Sequence, residues 1–397
     1  MYELKKSSTS NNLEQMIVSD FFISIIPLLK QKGKSVRIIF DKVVKNENLY
    51  NNIFHIIKSL KLTEYINFVE NSVDDFDFFE EMIHLYISHY YEEISNLNIQ
   101  EINKNLKGNT NIISIDDCNG LGQKNIISSL DSTKLIVYSF GDNNKIPIVI
   151  ILPSGMPMQI MKTWIKKLML SYYVITWETR GMFSQINISE DIGLDVENQL
   201  EDLESIFNFF RLESVHVFGV CQGANLALHA CGKFKEIINS ASMWHGDYNW
   251  NDDSKFTFVQ KNFVQMIQIA KGLDDVSLLR GIMCNPKSID KLLETYSIEI
   301  LPNVMYPYIS DKIFCNFIKL SENIISKNLL ETTNKISQKV LVITSTEDQT
   351  AHPSGSIKLN SHLSNSELYI RKNGNHISFF EAPEELIEVF SGFFNSI

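Results

Sequence analysis

Gly219-Val220-Cys221-Gln222-Gly223 is the stretch of sequence that decides the fold. A mostly apolar run, Val215 to Phe218, precedes it, and a run of small residues, Ala224 to Ala230, follows it. A strand that turns abruptly into a helix through Gly-x-nucleophile-x-Gly holds its central side chain at the tip of a strained turn. The central residue here is Cys221, and the helix amides beneath it favour a thiolate and donate to an oxyanion. Since the pattern also arises by chance, the rest of the chain must supply the other members of such a site.

Two later strand ends carry an acid and a histidine in the order that this kind of turn requires. Lys339 to Thr344 is typical of a buried strand, and Asp348 follows it closely. Glu367 to Ile370 is typical of a last strand, and His376 lies in the loop after it. Taken singly, the two side chains could be a turn cap and an ordinary loop histidine. The order nucleophile, acid, histidine at three strand ends instead predicts a catalytic triad of Cys221, Asp348 and His376.

The loop after an earlier strand, Ile148 to Leu152, is where a second oxyanion donor is expected. That loop reads Pro153-Ser154-Gly155-Met156. We therefore predict that the backbone N–H groups of Met156 and Gln222 form an oxyanion hole. The next strand runs into Glu178-Thr179-Arg180-Gly181, whose charges predict a structural ion pair in the turn.

Residues 130 to 397 together resemble the α/β-hydrolase superfamily. Within it, a cysteine at the sharp turn resembles polyhydroxyalkanoate synthases, dienelactone hydrolases and thioesterase-like members, and Gly219 to Gly223 is most similar to the synthases. Ala224 stands where those synthases usually have another glycine. The resemblance implies an α/β fold of the hydrolase type and chemistry through an acyl-cysteine. Some members of this fold take the acid one strand earlier, so Asp247, after Ile237 to Trp244, is a second candidate acid.

The composition excludes several other classes of protein. A formal net charge of -11 without a clustered basic run argues against nucleic acid and against a membrane surface. The first apolar run, Phe21 to Leu29, is too short to span a bilayer, and nothing before it reads as a signal peptide. The five cysteines show no disulfide or zinc spacing. We therefore expect a cytoplasmic protein with no metal and no cofactor.

Residues 1–107 are predicted to form an extra N-terminal helical region, because Leu49, Ile53, Ile56, Ile57 and Leu60 recur at helical spacing. This region is a small helical bundle, a cover on the hydrolase domain, or a docking site for a partner such as an acyl carrier protein or a second subunit. Residues 108–397 are predicted to form the hydrolase domain, with a helical lid insertion at about 248–335. Aromatic and methionine side chains of the insertion either line an acyl pocket or pack in a core: Phe256, Phe258, Phe263, Met266 and Met283.

The triad predicts covalent catalysis, in which His376 takes the proton of Cys221 and the sulfur attacks an acyl carbonyl. A cysteine thioester keeps the acyl group at roughly the energy of a CoA or carrier-protein thioester, so it suits onward transfer. The first hypothesis is thus a cysteine-dependent acyltransferase or thioesterase that acts on acyl thioesters of CoA or an acyl carrier protein. The alternatives are a small-molecule ester or lactone hydrolase, and a catalytically silent hydrolase fold that serves as a binding module.

Overall fold

The computed structural model describes residues 21–39, 47–69, 76–98, 100, 103, 122–183, 192–250 and 254–395. The chain forms two compact units: unit 1 comprises Met1–Leu121 and Cys284–Asn303, and unit 2 comprises Gly122–Met283 and Val304–Ile397. The predicted boundary near residue 107 falls outside the described residues. The predicted insertion at 248–335 is shared between the units, because its middle part, Cys284–Asn303, groups with unit 1.

Unit 1 combines helices with a pair of parallel strands. Its elements are α1 (Ile26–Lys32), β1 (Val36–Ile39), α2 (Glu47–Ser59), β2 (Ile66–Val69), α3 (Phe78–His89), α4 (Tyr91–Ser95) and a short helix at Ile289–Leu293. The apolar stripe of α2 is buried as its spacing predicts, since Leu49, Ile53, Ile56 and Ile57 have no exposed surface. The two strands were not predicted, because four residues are too few for an alternating pattern to stand out.

The outer edge of β1 is closed by side chains of α3. The N–H of Arg37 donates to Oε1 of Glu80 over 3.0 Å, and the N–H of Ile39 donates to Nε2 of His84 over 3.0 Å. The Arg37 guanidinium also pairs with the Glu80 carboxylate at 2.8 and 2.6 Å. These two N–H groups point away from β2, so side chains take the place of a third strand.

Unit 2 is built on an eight-stranded sheet. In chain order its strands are β3 (Gly122–Ser128), β4 (Lys134–Phe140), β5 (Pro147–Ile151), β6 (Tyr173–Trp177), β7 (Val215–Val220), β8 (Ile238–Trp244), β9 (Lys339–Ser345) and β10 (Ser366–Arg371). Across the sheet the order is β10-β9-β8-β7-β5-β6-β4-β3. The pairs β3–β4 and β4–β6 are antiparallel and the others are parallel. The carboxyl ends of β5 to β10 therefore meet at one edge, where ligands of open α/β sheets bind.

Helices follow most of the strands of unit 2: α5 (Lys162–Leu168), α6 (Val196–Phe210), α7 (Gln222–Lys233), α8 (Phe258–Ile269), α9 (Leu273–Met283), α10 (Asp311–Ile325), α11 (Leu329–Thr333), α12 (Pro353–His362) and α13 (Glu384–Phe394). The central strand β7 is buried at every residue, and its Phe218 contacts the rings of Trp164, Trp244 and Phe390. A strand that is buried on both faces is a continuous apolar run rather than an alternating one. For this reason β7 could be predicted from the sequence.

Candidate active site

Cys221 occupies the sharp turn between β7 and α7. Its backbone has φ 54° and ψ -125°, a conformation that L-residues adopt only under constraint, and its N–H donates to the carbonyl of Trp244 at 3.0 Å. A Cβ atom at Gly219 would lie 2.6 Å from the carbonyl oxygen of Gly223, and one at Gly223 would overlap the carbonyl oxygen of Ile151. Both glycines are therefore required where the turn packs against itself and against β5.

His376 and Asp348 lie beside Cys221, although they come from loops after two other strands. Nδ1 of His376 is 2.9 Å from Oδ2 of Asp348, and Cys221 lies close enough to His376 to raise the pKa of the imidazole. Since Nδ1 faces the carboxylate, Nε2 is the nitrogen that remains for the thiol. Asp348 and His376 are both buried. The structure thus brings the three predicted residues together.

A second histidine, which the sequence analysis missed, is hydrogen bonded to the same carboxylate. Nδ1 of His245 lies 2.9 Å from Oδ2 of Asp348, and His245 is only 1% exposed. The other carboxylate oxygen, Oδ1, accepts the N–H groups of Thr350 at 2.8 Å and Ala351 at 2.7 Å. Asp348 therefore accepts four hydrogen bonds, two on each oxygen.

The order of the strands is the signal that would have revealed His245. Trp244, the last residue of β8, pairs with Val220, the last residue of β7. The residue that follows each strand is consequently at the same edge of the sheet, so His245 is a neighbour of Cys221. Asp247, the acid considered from the sequence, is two residues further on, but the sequence alone does not place β8 beside β7.

Burial and charge act in opposite directions on these groups. Burial raises the pKa of the Asp348 carboxyl, but the two imidazoles outweigh this effect and hold that pKa well below its usual range. Burial lowers the pKa of His376, whereas Asp348 and Cys221 raise it, and the net result lies well above the usual value. Burial also lowers the pKa of His245, and here the net shift is downward. The pKa of His376 is thus raised and that of His245 lowered, although both imidazoles contact the same carboxylate oxygen.

Asp247, the alternative acid, is bonded elsewhere. Its Oδ1 accepts a hydrogen bond from Nε2 of Gln260 at 2.7 Å, and its carbonyl accepts one from Nδ2 of Asn225 at 2.8 Å. These contacts fix the segment after β8 against α7 and α8. The geometry thus favours Asp348 as the partner of His376.

The two predicted oxyanion donors differ in their surroundings. Gln222 is the first residue of α7, and no backbone acceptor within the described residues takes its N–H. The N–H of Met156 instead donates to the carbonyl of Pro153 at 3.1 Å, in a turn that Gly155 makes possible with a φ of 74°. Met156 can therefore serve only by sharing or leaving that turn bond, and its role stays a prediction.

The turn after β6 holds a buried ion pair whose partners lie outside the turn. The side chain of Arg180 has no exposed surface, and it binds Asp202 at 2.5 and 2.7 Å and Asp131 at 2.8 Å. Glu178 instead accepts the N–H of Met158 at 3.3 Å, in the loop that carries Met156. Burial raises the pKa of Glu178 to about 8, so its carboxyl is mainly protonated at neutral pH.

Helix α10, from the later part of the predicted lid, lies over the site. Its Ser321 hydroxyl donates to Oε1 of Gln222 at 3.1 Å, and its Asn316 amide donates to the carbonyl of Gly181 at 2.7 Å. A Cβ atom on Gly155 would be 3.2 Å from Cδ2 of Phe317. The helix is thus anchored to the turn that holds Cys221 and packed on the loop that holds Met156.

A cavity of about 360 Å³ lies beside the loop that carries Asp348, with Tyr248, Phe256, Gln260 and His352 in its wall. Phe256 is one of the side chains predicted to line an acyl pocket. Phe258 is 77% exposed, so the same prediction is wrong for that residue. The insertion therefore supplies an aromatic wall near the acid but not the full set of predicted side chains.

His245, Asp348 and His376 offer three possible metal ligands within 4.8 Å of one another. The atoms involved are those already joined by hydrogen bonds, because both Nδ1 atoms lie on Oδ2 of Asp348. Metal binding and proton sharing are thus alternatives for one set of atoms, and the link from His376 to Cys221 fits proton sharing.

None of the helices in the described ranges has both the length and the apolar character needed to cross a bilayer.

No protein-family model matches the chain, and no curated protein matches its sequence. Its structure is similar to that of an esterase from Exiguobacterium antarcticum, with 16% identity, 68% of this chain and 99% of that chain covered, and a TM-score of 0.56. It is also similar to that of an enol-lactonase from Burkholderia xenovorans, with 14% identity, 68% of this chain and 100% of that chain covered, and a TM-score of 0.53. A third similar structure is that of a membrane phospholipase A, with 15% identity, 69% of this chain and 86% of that chain covered, and a TM-score of 0.56.

The chain has the α/β-hydrolase fold. In this fold β4 runs antiparallel to both of its neighbours, β3 and β6, and the turn at Cys221 and the loop at His376 follow β7 and β10. Identities of this size show the fold and leave the reaction to the chemistry of the site.

Proposed function

We propose that this protein is an enzyme that accepts an acyl group on Cys221 and releases it to water, acting on small-molecule esters or lactones. The observation that carries the proposal is the placement of Cys221 beside His376, whose Nδ1 lies 2.9 Å from Oδ2 of Asp348. A nucleophile, a base in contact with it and a third group that orients the base are the parts that covalent acyl transfer requires. A packed, inert thiol would need none of them.

In the first half of the reaction, Nε2 of His376 takes the thiol proton and the sulfur of Cys221 attacks the substrate carbonyl. The N–H of Gln222 at the start of α7 donates to the oxygen that becomes negative. His376 then gives the proton to the leaving alkoxide, which departs as an alcohol, and the acyl group stays on sulfur. In the second half, His376 deprotonates a water molecule that attacks the thioester, and the proton returns to Cys221 as the acid leaves.

The similar structures support water as the final acceptor. They include an esterase and an enol-lactonase, each nearly fully covered by this chain. The lactone case differs in one respect, because the leaving alkoxide stays joined to the acyl group. The product is then a single hydroxy acid.

A second candidate function is transfer of the acyl group from a CoA or carrier-protein thioester, by an acyltransferase or a thioesterase. The observation that favours it is the nucleophile itself, since a cysteine thioester preserves the energy of a thioester substrate. The anchored helix α10 would help to keep water from such an intermediate.

Intact-protein mass spectrometry tests the proposal and separates the two candidates. The protein is mixed with a panel of aryl esters, lactones and acyl thioesters, and the adduct is followed in single turnover with and without alcohol or amine acceptors. We expect acylation of Cys221 and rapid decay of the adduct in buffer alone. A persistent adduct that discharges only when an acceptor is added would favour transfer.

Cys231 provides an internal control for the same experiment. It lies on α7 with no exposed surface, and burial raises the pKa of its thiol to about 12. Iodoacetamide should therefore alkylate Cys221 and spare Cys231 in the folded protein, and C221A should lose both alkylation at this position and acylation. A folded protein whose Cys221 neither alkylates nor acylates would instead be a binding module.

A further inference from the structure

We infer that His245 is a positioning residue that holds the carboxylate of Asp348 and limits how much of its negative charge reaches His376. The inference rests on the proposed function, because it assigns a regulating neighbour to the same acid and base. It concerns a residue outside the predicted triad.

The geometry places the two imidazoles in competition for one oxygen. Nδ1 of His245 and Nδ1 of His376 are each 2.9 Å from Oδ2 of Asp348, and the two rings are inclined at 70°. An ionised carboxylate only accepts hydrogen bonds, so both Nδ1 atoms carry a hydrogen. Each N–H group that donates to Oδ2 reduces the negative charge with which Oδ2 can stabilise the other imidazole.

The backbone holds His245 in this place at some cost. Its φ is 50°, in the left-handed region that favours glycine, and its N–H donates to the carbonyl of Ile343 at 2.8 Å. A non-glycine residue in this sparsely populated conformation is strained, and it persists where the surrounding contacts hold it. In this conformation the His245 side chain does not continue the alternating side-chain directions of β8, and it contacts Asp348.

The charges around His245 explain why it acts as a neutral donor. Asp348 faces it from the loop after β9, His376 from the loop after β10 and Arg371 from the end of β10. Cys221 and Asp247 also face His376. Two imidazoliums on one carboxylate oxygen would repel each other, so only His376 takes up the positive charge.

The consequence for the reaction has two parts. Without the second donor, Oδ2 would stabilise the His376 imidazolium more strongly, and His376 would lose its proton at a higher pH. Asp348 would also be held by one fewer bond on Oδ2, so the imidazole would be oriented less tightly toward Cys221. The first effect is electrostatic and the second is a loss of alignment, and they have separate readouts.

The test compares two substitutions of His245 in the full-length protein. Asn places an amide N–H close to the position of Nδ1, so H245N keeps the donor, whereas H245L has similar bulk and no donor. Ring ¹⁵N spectra of labelled histidine give the titration of His376, and mass spectrometry gives the rate of acylation of Cys221. For H245L we expect the His376 midpoint to rise by about one pH unit and acylation to slow by about tenfold. For H245N we expect values close to those of the unsubstituted protein.

A titration of His376 in H245L that matches the unsubstituted protein would overturn the inference. If H245L fails to fold, the unsubstituted protein still decides, because its ¹⁵N spectra must show His245 neutral with its hydrogen on Nδ1 between pH 6 and 8. A charged His245, or one with its hydrogen on Nε2, would also overturn it. Failure of the proposed function would look different: Cys221 would not acylate at all, while the histidine spectra would be unaffected.

Discussion

Nδ1 of His376 lies 2.9 Å from Oδ2 of Asp348, whereas the carboxylate of Asp247 is hydrogen bonded to Gln260. This difference predicts unequal effects of the same substitution. D348N presents an amide to a ring nitrogen that needs an acceptor, so the acylation rate of Cys221 should fall by about 100-fold or more. D247N should reduce the rate by less than about tenfold. Single-turnover experiments measure the acylation rates of both variants. A larger loss in D247N would show that Asp247, after β8, is the acid.

Glu178 gives a prediction about pH and stability. Burial raises its pKa from 4.5 to about 8, so between these values the unfolded chain releases a proton that the folded protein keeps. The free energy of unfolding should therefore fall as pH rises through this window, by at most about 1.4 kcal/mol per pH unit. E178Q carries a neutral side chain in both states and should lack this slope.

Urea unfolding from pH 5 to pH 8 measures the slope for the protein and for E178Q. E213Q is the matched control, because Glu213 is exposed, and its curve should follow that of the unsubstituted protein. Parallel curves for all three proteins would mean that Glu178 is ionised in the folded state.

The ion pair between Arg180 and Asp202 predicts a large loss of stability when one partner is removed. Both side chains are buried, so D202N leaves a guanidinium in the interior with part of its charge uncompensated. We expect a loss of about 3–5 kcal/mol. The pair between Lys233 and Glu204 is about 40% exposed on each side, and E204Q should cost less than about 1 kcal/mol. Equal losses in denaturant unfolding would contradict the structural role of Arg180.

The link between Ser321 and Gln222 predicts a smaller, local effect. Ser321 has no exposed surface, and S321A removes the donor to the buried Oε1 of Gln222. The free energy of unfolding should fall by about 1–2 kcal/mol. Ser326 lies exposed at the end of the same helix, so S326A should change stability by less than about 0.5 kcal/mol. A neutral S321A would show that helix α10 is not held by this bond.

The parts of the fold that depend on neighbouring residues were predictable from the sequence. The turn at Cys221 needs glycine at 219 and 223 because a Cβ at either position meets backbone atoms. The predicted runs that became β5 and β7 to β10 agree with the observed strands to within two residues. Buried parallel strands are short, continuous apolar runs, so their positions do not depend on knowing their partners.

What the sequence did not reveal depends on partners distant in the chain. His245 became visible as part of the site only when β8 was placed beside β7 and β9. The grouping of Cys284–Asn303 with unit 1 is likewise a matter of tertiary contacts, since nothing in its composition sets it apart. The turn bond of Met156 depends on the φ of Gly155, which the residue types permit without requiring.

The side chains along β1 limit how unit 1 can associate with other chains. A strand from another molecule would have to displace the Glu80 carboxylate from the N–H of Arg37 and the His84 imidazole from the N–H of Ile39 before it could pair there. Addition of strands to an open edge is a common route to fibrous aggregates. Two side chains from a single helix thus oppose polymerisation at this edge. This property affects the solubility of the protein and not its chemistry.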